Sequence, residues 1–117
     1  MESIMTKITR FAPSPTGSLH IGGVRTALFN FVYSKQQKGK FLIRVEDTDA
    51  ERSTREFEEN ILRGLSDMGI VPDETPVRQS ERSELYQNAI SQIIDSGQAY
   101  YCCLLYTSDA ADERHCV

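Results

Sequence analysis

Two stretches of this 117-residue chain carry the residue types that chemistry on phosphates and charged small molecules requires. The first runs Arg10-Phe11-Ala12-Pro13-Ser14-Pro15-Thr16-Gly17-Ser18-Leu19-His20-Ile21-Gly22-Gly23. Its apolar start, Lys7 to Phe11, enters a loop stiffened by two prolines. The loop closes on Gly17, and a helix opens near His20. A helix N-terminus presents unpaired backbone N–H groups and the positive end of a dipole, which suits phosphate. Gly22 and Gly23 let a ligand approach the backbone closely, and His20 adds a donor beside them. An ordinary strand–helix connection made of turn residues accounts for the same pattern. The second stretch, Glu46-Asp47-Thr48-Asp49, places carboxylates where an ammonium group can be held. Asp47, Asp49 and Glu51 also alternate as in a calcium loop, but Arg52 stands where that loop needs glycine. Acids that complement the dipole of a following helix are the plain alternative for Asp49 and Glu51.

The elements that must position these residues are readable from periodicity. A first helix is predicted from about His20 to Gln37. Ile21, Val24, Leu28 and Val32 form its apolar stripe, widened by Ala27 and Phe31, and Gly39 is its stop. Lys40 to Val45 reads as a strand, too continuously apolar for simple alternation, and so as a parallel strand covered on both faces. Strand, helix and strand make a βαβ unit with a right-handed crossover. Ligands of open α/β sheets lie outside the carboxyl ends of the strands, so Pro13 to Gly17 and Glu46 to Asp49 are expected to converge. Ser53-Thr54-Arg55-Glu56 has the form of a capping box. It opens a second helix with Phe57, Ile61, Leu65 and Met68 on its core face, flanked by Leu62, and Gly69 as its stop. Val71 to Val77 reads as a loop. Ser80 to Ser96 reads as a third helix with Tyr86, Ile90, Ile93 and Ile94 inward and Gly97 as its stop. Gln98 to Cys102 is expected to begin a further strand.

The length allows one domain or a piece of one. No apolar run approaches membrane-spanning length, and Met1 to Lys7 lacks the apolar core of a signal peptide. The net charge of −4 hides an asymmetry. Residues 1–45 hold seven Lys/Arg against one acid, Glu2, and residues 46–117 hold six against sixteen. The basic half can face an anionic partner such as phosphate, although Lys35, Lys38 and Lys40 read more simply as a solvated helix end. Cys102, Cys103 and Cys116 form no disulfide framework, and a reducing cytoplasm is the simpler setting.

Arg10 to Gly17 followed by Leu19-His20-Ile21-Gly22 resembles the signature of class I glutamyl-tRNA synthetases. His20-Ile21-Gly22-Gly23 is similar to that class's HIGH motif, with Gly23 at the fourth position in place of His. Arg44-Val45-Glu46-Asp47-Thr48-Asp49 and Arg78-Gln79-Ser80-Glu81-Arg82 fit in the same order and spacing. The resemblance covers roughly Thr9 to Cys102. It implies an α/β fold, the N-terminal part of a class I synthetase Rossmann-like parallel-sheet catalytic domain. Residues 1–103 would be that partial domain, binding ATP and glutamate. Residues 104–117 do not match and read as a foreign or frame-shifted tail. Some relatives carry a zinc-binding Cys-x-Cys pair near Cys102. The adjacent Cys102-Cys103, with Leu104 where a second ligand belongs, lacks that spacing, so zinc is not expected here.

The resemblance further implies that glutamate attacks the α-phosphorus of ATP and that the glutamyl group passes to the terminal ribose of tRNA(Glu). Positioning and stabilisation of developing phosphate charge then carry the catalysis. By resemblance, His20, Gly22 and Gly23 serve ATP, and Arg10, Ala12, Ser14 and Glu46 line the glutamate pocket. Mg2+ would accompany ATP, and no metal ligand is identifiable. A cytoplasmic monomer with no membrane association is expected. The family's second ATP signature, a KMSK-like loop, is not in this sequence, so the chain is expected to be truncated and inactive alone. The alternatives are glutaminyl-tRNA synthetase, the glutamyl-Q tRNA(Asp) synthetase paralogue, or a nucleotide-binding fragment without turnover. The glutaminyl branch usually has proline and glutamate where this chain has Ala12 and Ser14, and a DDTN-like stretch where it has EDTD.

Overall fold

The computed structural model describes residues 6–102. They separate into two compact units, divided between Arg82 and Ser83. The first unit runs β1 (Ile8–Phe11), α1 (Ile21–Gln36), β2 (Lys40–Val45), α2 (Arg55–Asp67) and β3 (Val77–Arg78), then a single 3-10 turn, Ser80–Arg82. The strands form a parallel sheet in the order β1-β2-β3. Thr9 pairs with Phe41 and Phe11 with Ile43, and Val45 pairs with Arg78.

Register fixes what each face carries. Phe11, Phe41, Ile43 and Val45 point to one face, where they are buried with Ala27 of α1 and Ile61 and Leu65 of α2. Thr9 Oγ1 reaches the Asn30 carbonyl of α1 on that face at 2.8 Å, and Arg78 reaches Glu58 of α2. Both helices therefore cover one face, as two crossovers of the same hand stepping one way across a sheet require. The expectation that β2 is covered on both faces does not hold within this unit. The opposite face carries Ile8, Arg10, Leu42, Arg44 and Val77, and Ile8 and Val77 are exposed.

The helix stripes also differ from expectation. Ala27, Phe31 and Ser34 face the sheet, with Phe31 edge-on to Phe41 at 5.6 Å. Ile21, Leu28 and Val32 are exposed. The helix is apolar on both sides, so periodicity alone does not choose between them. Ser34 belongs to the buried side because its hydroxyl donates to the Phe31 carbonyl at 2.7 Å and brings no unsatisfied group into the core. On α2, Ile61 and Leu65 are buried as expected, Met68 is exposed and Glu58 is buried.

The caps shift by a residue at two points. Thr54, not Ser53, caps α2, accepting from the Phe57 N–H at 3.2 Å. The left-handed position after α1 falls on Lys38 (φ 51°), not on Gly39. Lys38 N–H bonds Lys35 O and Gly39 N–H bonds Ser34 O, a Schellman closure. Gly39 is needed for another reason: a Cβ there would lie 2.0 Å from the Lys7 carbonyl oxygen. Gly69 (φ 77°) does close α2 in the expected way, with Gly69 N–H on Ser66 O and Ile70 N–H on Leu65 O.

At the end of the stretch read as loop, Val71 to Val77, the pair Val77–Arg78 adds a third strand to the sheet. The second unit contains α3, Ser83–Asp95. Its start lies three residues after the expected one, because Ser80–Arg82 forms the 3-10 turn. None of its residues is buried, so the inward face expected of Ile90 and Ile93 is exposed. Gly97 (φ 72°) ends it. The further strand expected at residues 98–102 does not form. Cys103, Cys116 and the segment 104–117 lie outside the described residues. Among the described residues, no helix is long and apolar enough to cross a membrane.

Candidate active site at the carboxyl ends of the strands

The loop after β1 and the turn after β2 converge, as the ends of neighbouring parallel strands should. Glu46 N–H donates to the Pro13 carbonyl at 2.8 Å, and Thr54 N–H to the Pro15 carbonyl at 3.1 Å. Pro15 is fully buried. Leu19 pins the far end of the loop to α2. Its N–H donates to Asn60 Oδ1 at 2.9 Å, and its side chain occupies the space left by Gly64, where a Cβ would come within 2.7 Å. The loop is thus fastened to β2 and to α2 before it enters α1.

His20 is the N-cap of α1. Its backbone is extended, and its Nδ1 accepts from the Gly22 N–H at 3.2 Å. An accepting Nδ1 leaves the proton of the neutral ring on Nε2, which remains a donor for a ligand. A Cβ at Gly22 would lie 3.0 Å from the imidazole, so a larger residue there crowds the cap. The cap occupies one of the amides expected to be available for phosphate; the Ile21 and Gly23 N–H groups have no partner among the described residues.

His20, Gly23 and Ser14 line a cleft of about 330 Å³ with Phe11, Leu19 and Ile61. That volume lies within the range of small-molecule sites, and an apolar wall with a few polar groups is their usual make-up. Arg10, Ala12, Gly22 and Glu46 are not in its lining. Arg10 pairs with Leu42 in the sheet and so shares the uncovered face with Arg44, the residue that bonds Glu46. Of the seven sequence-derived residues, the cleft thus brings together Ser14, His20 and Gly23 and leaves Arg10, Ala12, Gly22 and Glu46 outside it. Arg10 has no ion-pair partner among the described residues.

Behind this edge lies a polar network only partly foreseen. Asp47 accepts from Ser80 N–H at 2.9 Å and from Ser80 Oγ at 2.6 Å. Burial pushes its carboxyl up, but the two bonds from Ser80 outweigh this and hold it below the ordinary value. Asp49 is turned to its own segment. Arg52 Nε at 2.6 Å, then Arg52 N–H, lowers its carboxyl, a local pairing in place of the helix-dipole role the sequence offered as its plain alternative. Arg78 chelates the buried Glu58, and the bidentate bond holds the guanidinium cationic. Lys35 and Lys40 are exposed, as a solvated helix end would be, and each makes a surface ion pair. They pair with Asp73 at 2.8 Å and Glu74 at 2.7 Å. Among the described residues, no cluster of His, Cys, Asp and Glu has the arrangement of a metal site.

Arg44 and Glu58 were the residues least accessible to sequence reasoning. The strand alternation Leu42, Arg44, Glu46 could have marked Arg44 as a neighbour of Glu46. An acid one helical turn before the core residue Ile61 and two before Leu65 gives no such signal.

A strand, a His-capped helix and a converging acidic turn meet at the carboxyl edge of a parallel sheet, the position of ligand sites in α/β proteins. The chain belongs to the tRNA synthetases class I (E and Q), catalytic domain, the family whose model matches residues 7–113. Its curated relatives include a glutamate–tRNA ligase of Thermosynechococcus vestitus, 55% identical over 98 residues that make up 84% of this chain and 20% of that protein. A glutamate–tRNA ligase of a Synechococcus species is 58% identical, with 84% and 21% covered. The crystal structure of a glutamate tRNA ligase from Elizabethkingia meningosepticum in complex with its amino acid superposes with a TM-score of 0.70 at 46% identity, covering 75% of this chain and 19% of that one. The chain therefore spans about one fifth of the length of these relatives.

Proposed function

We propose that this segment forms the ATP and glutamate half-site of a glutamate–tRNA ligase, which activates glutamate as its adenylate and passes the glutamyl group to tRNA(Glu). The observation that carries the reading is the bond from Glu46 N–H to Pro13, which ties the Glu46 turn to the loop leading into the His20-capped helix, together with relatives at 55–58% identity that are glutamate–tRNA ligases. His20 Nε2–H and the Ile21 and Gly23 amides are donors for ATP phosphate oxygens, where charge develops as the α-phosphorus is attacked. Glu46 accepts the substrate ammonium, and Arg10 offers a two-pronged donor to the side-chain carboxylate that separates glutamate from glutamine. Ala12 and Ser14 line the glutamate pocket with them. Mg2+ enters with the ATP phosphates. No nucleophile from the protein is needed, so the residues act by orientation and electrostatics.

The test is amino-acid-dependent exchange of pyrophosphate into ATP by a full-length ligase carrying this segment. Exchange with glutamate and not with glutamine supports the reading. Equal exchange with both, or exchange with glutamine alone, refutes it.

A further inference from the structure

Arg44 is the nearest charged neighbour that the structure gives Glu46. Its Nη2 donates to Glu46 Oε1 at 2.7 Å, the short distance of a charge-assisted bond. The two side chains are 25% and 33% exposed, so water screens the contact less than it would a pair at the surface. Their meeting follows from the strand, where residues two apart project from the same face. Glu46 Oε2 has no partner among the described residues. The Arg44 Nε is buried and likewise makes no bond. The backbone of Glu46 is also tied, by its N–H to Pro13.

We propose that Arg44 is a positioning residue that holds one oxygen of the Glu46 carboxylate so that the other stays aimed at the ammonium group of the bound amino acid. The proposal rests on the reading of Glu46 given above and adds to it the group that sets its geometry. A glutamate carries three side-chain torsions, and an unrestrained one loses that freedom each time a ligand binds. Anchoring Oε1 to a neighbour already in the sheet removes that cost in advance. Lysine reproduces the charge of Arg44 but not the direction of its planar donors.

The experiment uses a full-length glutamate–tRNA ligase carrying this segment, with Arg44→Gln, Arg44→Lys, Glu46→Gln and the Arg44→Gln/Glu46→Gln double variant. KM values for glutamate and for ATP are read from pyrophosphate exchange, with a thermal melt of each protein. Arg44→Gln is expected to raise the glutamate KM by about tenfold, the scale of a charge-assisted bond, with the ATP KM unchanged. Arg44→Lys should recover part of the loss, and this milder change keeps the test available if Arg44→Gln does not fold. The double variant should be no worse than Glu46→Gln, because Arg44 acts through Glu46. Additive losses, a parallel rise in the ATP KM, or a fall in the glutamate KM would each overturn the proposal. A fall would mark Arg44 as a competitor for the carboxylate. If Glu46→Gln itself leaves the glutamate KM unchanged, the reading of Glu46 fails and the proposal with it. If Glu46→Gln raises it while both Arg44 variants do not, the positioning role alone is refuted.

Discussion

Arg78 closes a two-pronged bond on Glu58 across 20 residues of chain, with Nε 2.9 Å from both carboxylate oxygens and Nη2 2.7 Å from Oε1. Glu58 is 6% exposed, and Arg78 lies on the two-residue strand β3. The pair fastens that short strand to α2, and Arg78 Nη1 adds Glu81 at 3.1 Å. Removing the arginine leaves a buried carboxylate without its counter-charge, which typically costs about 3–5 kcal/mol. Arg78→Ala should therefore lower stability to chemical denaturation on that scale, and Arg82→Ala, with no ion pair among those found, should cost much less. Equal losses for the two would assign the effect to lost packing.

Two neighbouring positions after α1 should respond in opposite directions. Gly39→Ala drives a Cβ against the backbone oxygen of Lys7, which cannot swing away as a side-chain end can. Lys38→Gly relieves a non-glycine residue at φ 51° and should stabilise by about 1 kcal/mol. Urea midpoints of the two variants measure both, and a stabilised Gly39→Ala would contradict the close approach.

Much of this was legible in the sequence. The βαβ order followed from the apolar segment, the α1 periodicity and the β2 run, and the site's location followed from strand ends. The lost information was directional. Leu28 and Ala27 are both apolar neighbours on one helix, and only packing against Phe41 shows that Ala27 is the buried one. Val77–Arg78 follows a stretch with two prolines and two acids, and two residues are too few to show a period; the ladder to β2 and the hold on Glu58 make them a strand. The pairing of Lys35 with Asp73 joins residues 38 apart, a distance no local pattern reports.

That pairing sets an acid limit. The Lys35 ammonium and then the Phe41 N–H hold the Asp73 carboxyl below its ordinary value of 3.8. The folded chain thus binds this proton more weakly than the unfolded chain. The contribution of Asp73 is complete above the unfolded value and is lost as the pH falls through the lower folded one. Asp73→Asn should flatten the fall in stability below about pH 4 while changing its slope little near neutrality, as followed by denaturation at stepped pH. An unchanged acid slope would remove Asp73 from the account.

His20 combines two tasks that substitution can separate. Asparagine caps helices well, so His20→Asn should keep the melting temperature while losing the Nε2 donor. His20→Ala should lose the donor and also about 1 kcal/mol of cap. In a full-length enzyme with this segment, both should slow glutamate activation by the ~2.7–4 kcal/mol typical of a lost oxyanion donor. A normal rate for His20→Asn would leave His20 as a cap only.

Arg10 tests the choice of amino acid. It stands near the end of β1, on the uncovered face shared with Arg44, and is exposed. An ordinary surface ion pair is one reason for such an arginine, worth about 0–1 kcal/mol, but no acid among the described residues pairs with it. Its guanidinium is therefore available to an incoming carboxylate. Two parallel donors in a fixed fork match that group, and an ammonium does not reproduce them. A hydrogen bond to a charged group contributes roughly 1.5–3 kcal/mol. Arg10→Lys in a full-length ligase carrying this segment should thus reduce kcat/KM for glutamate by more than about tenfold, although one positive charge remains. Folding stability should hardly change, because no internal partner is lost. Steady-state activation kinetics and a melting curve measure both quantities. Activity within twofold of the parent, or a fall in stability that matches the fall in activity, would show that Arg10 does not read the substrate's side chain.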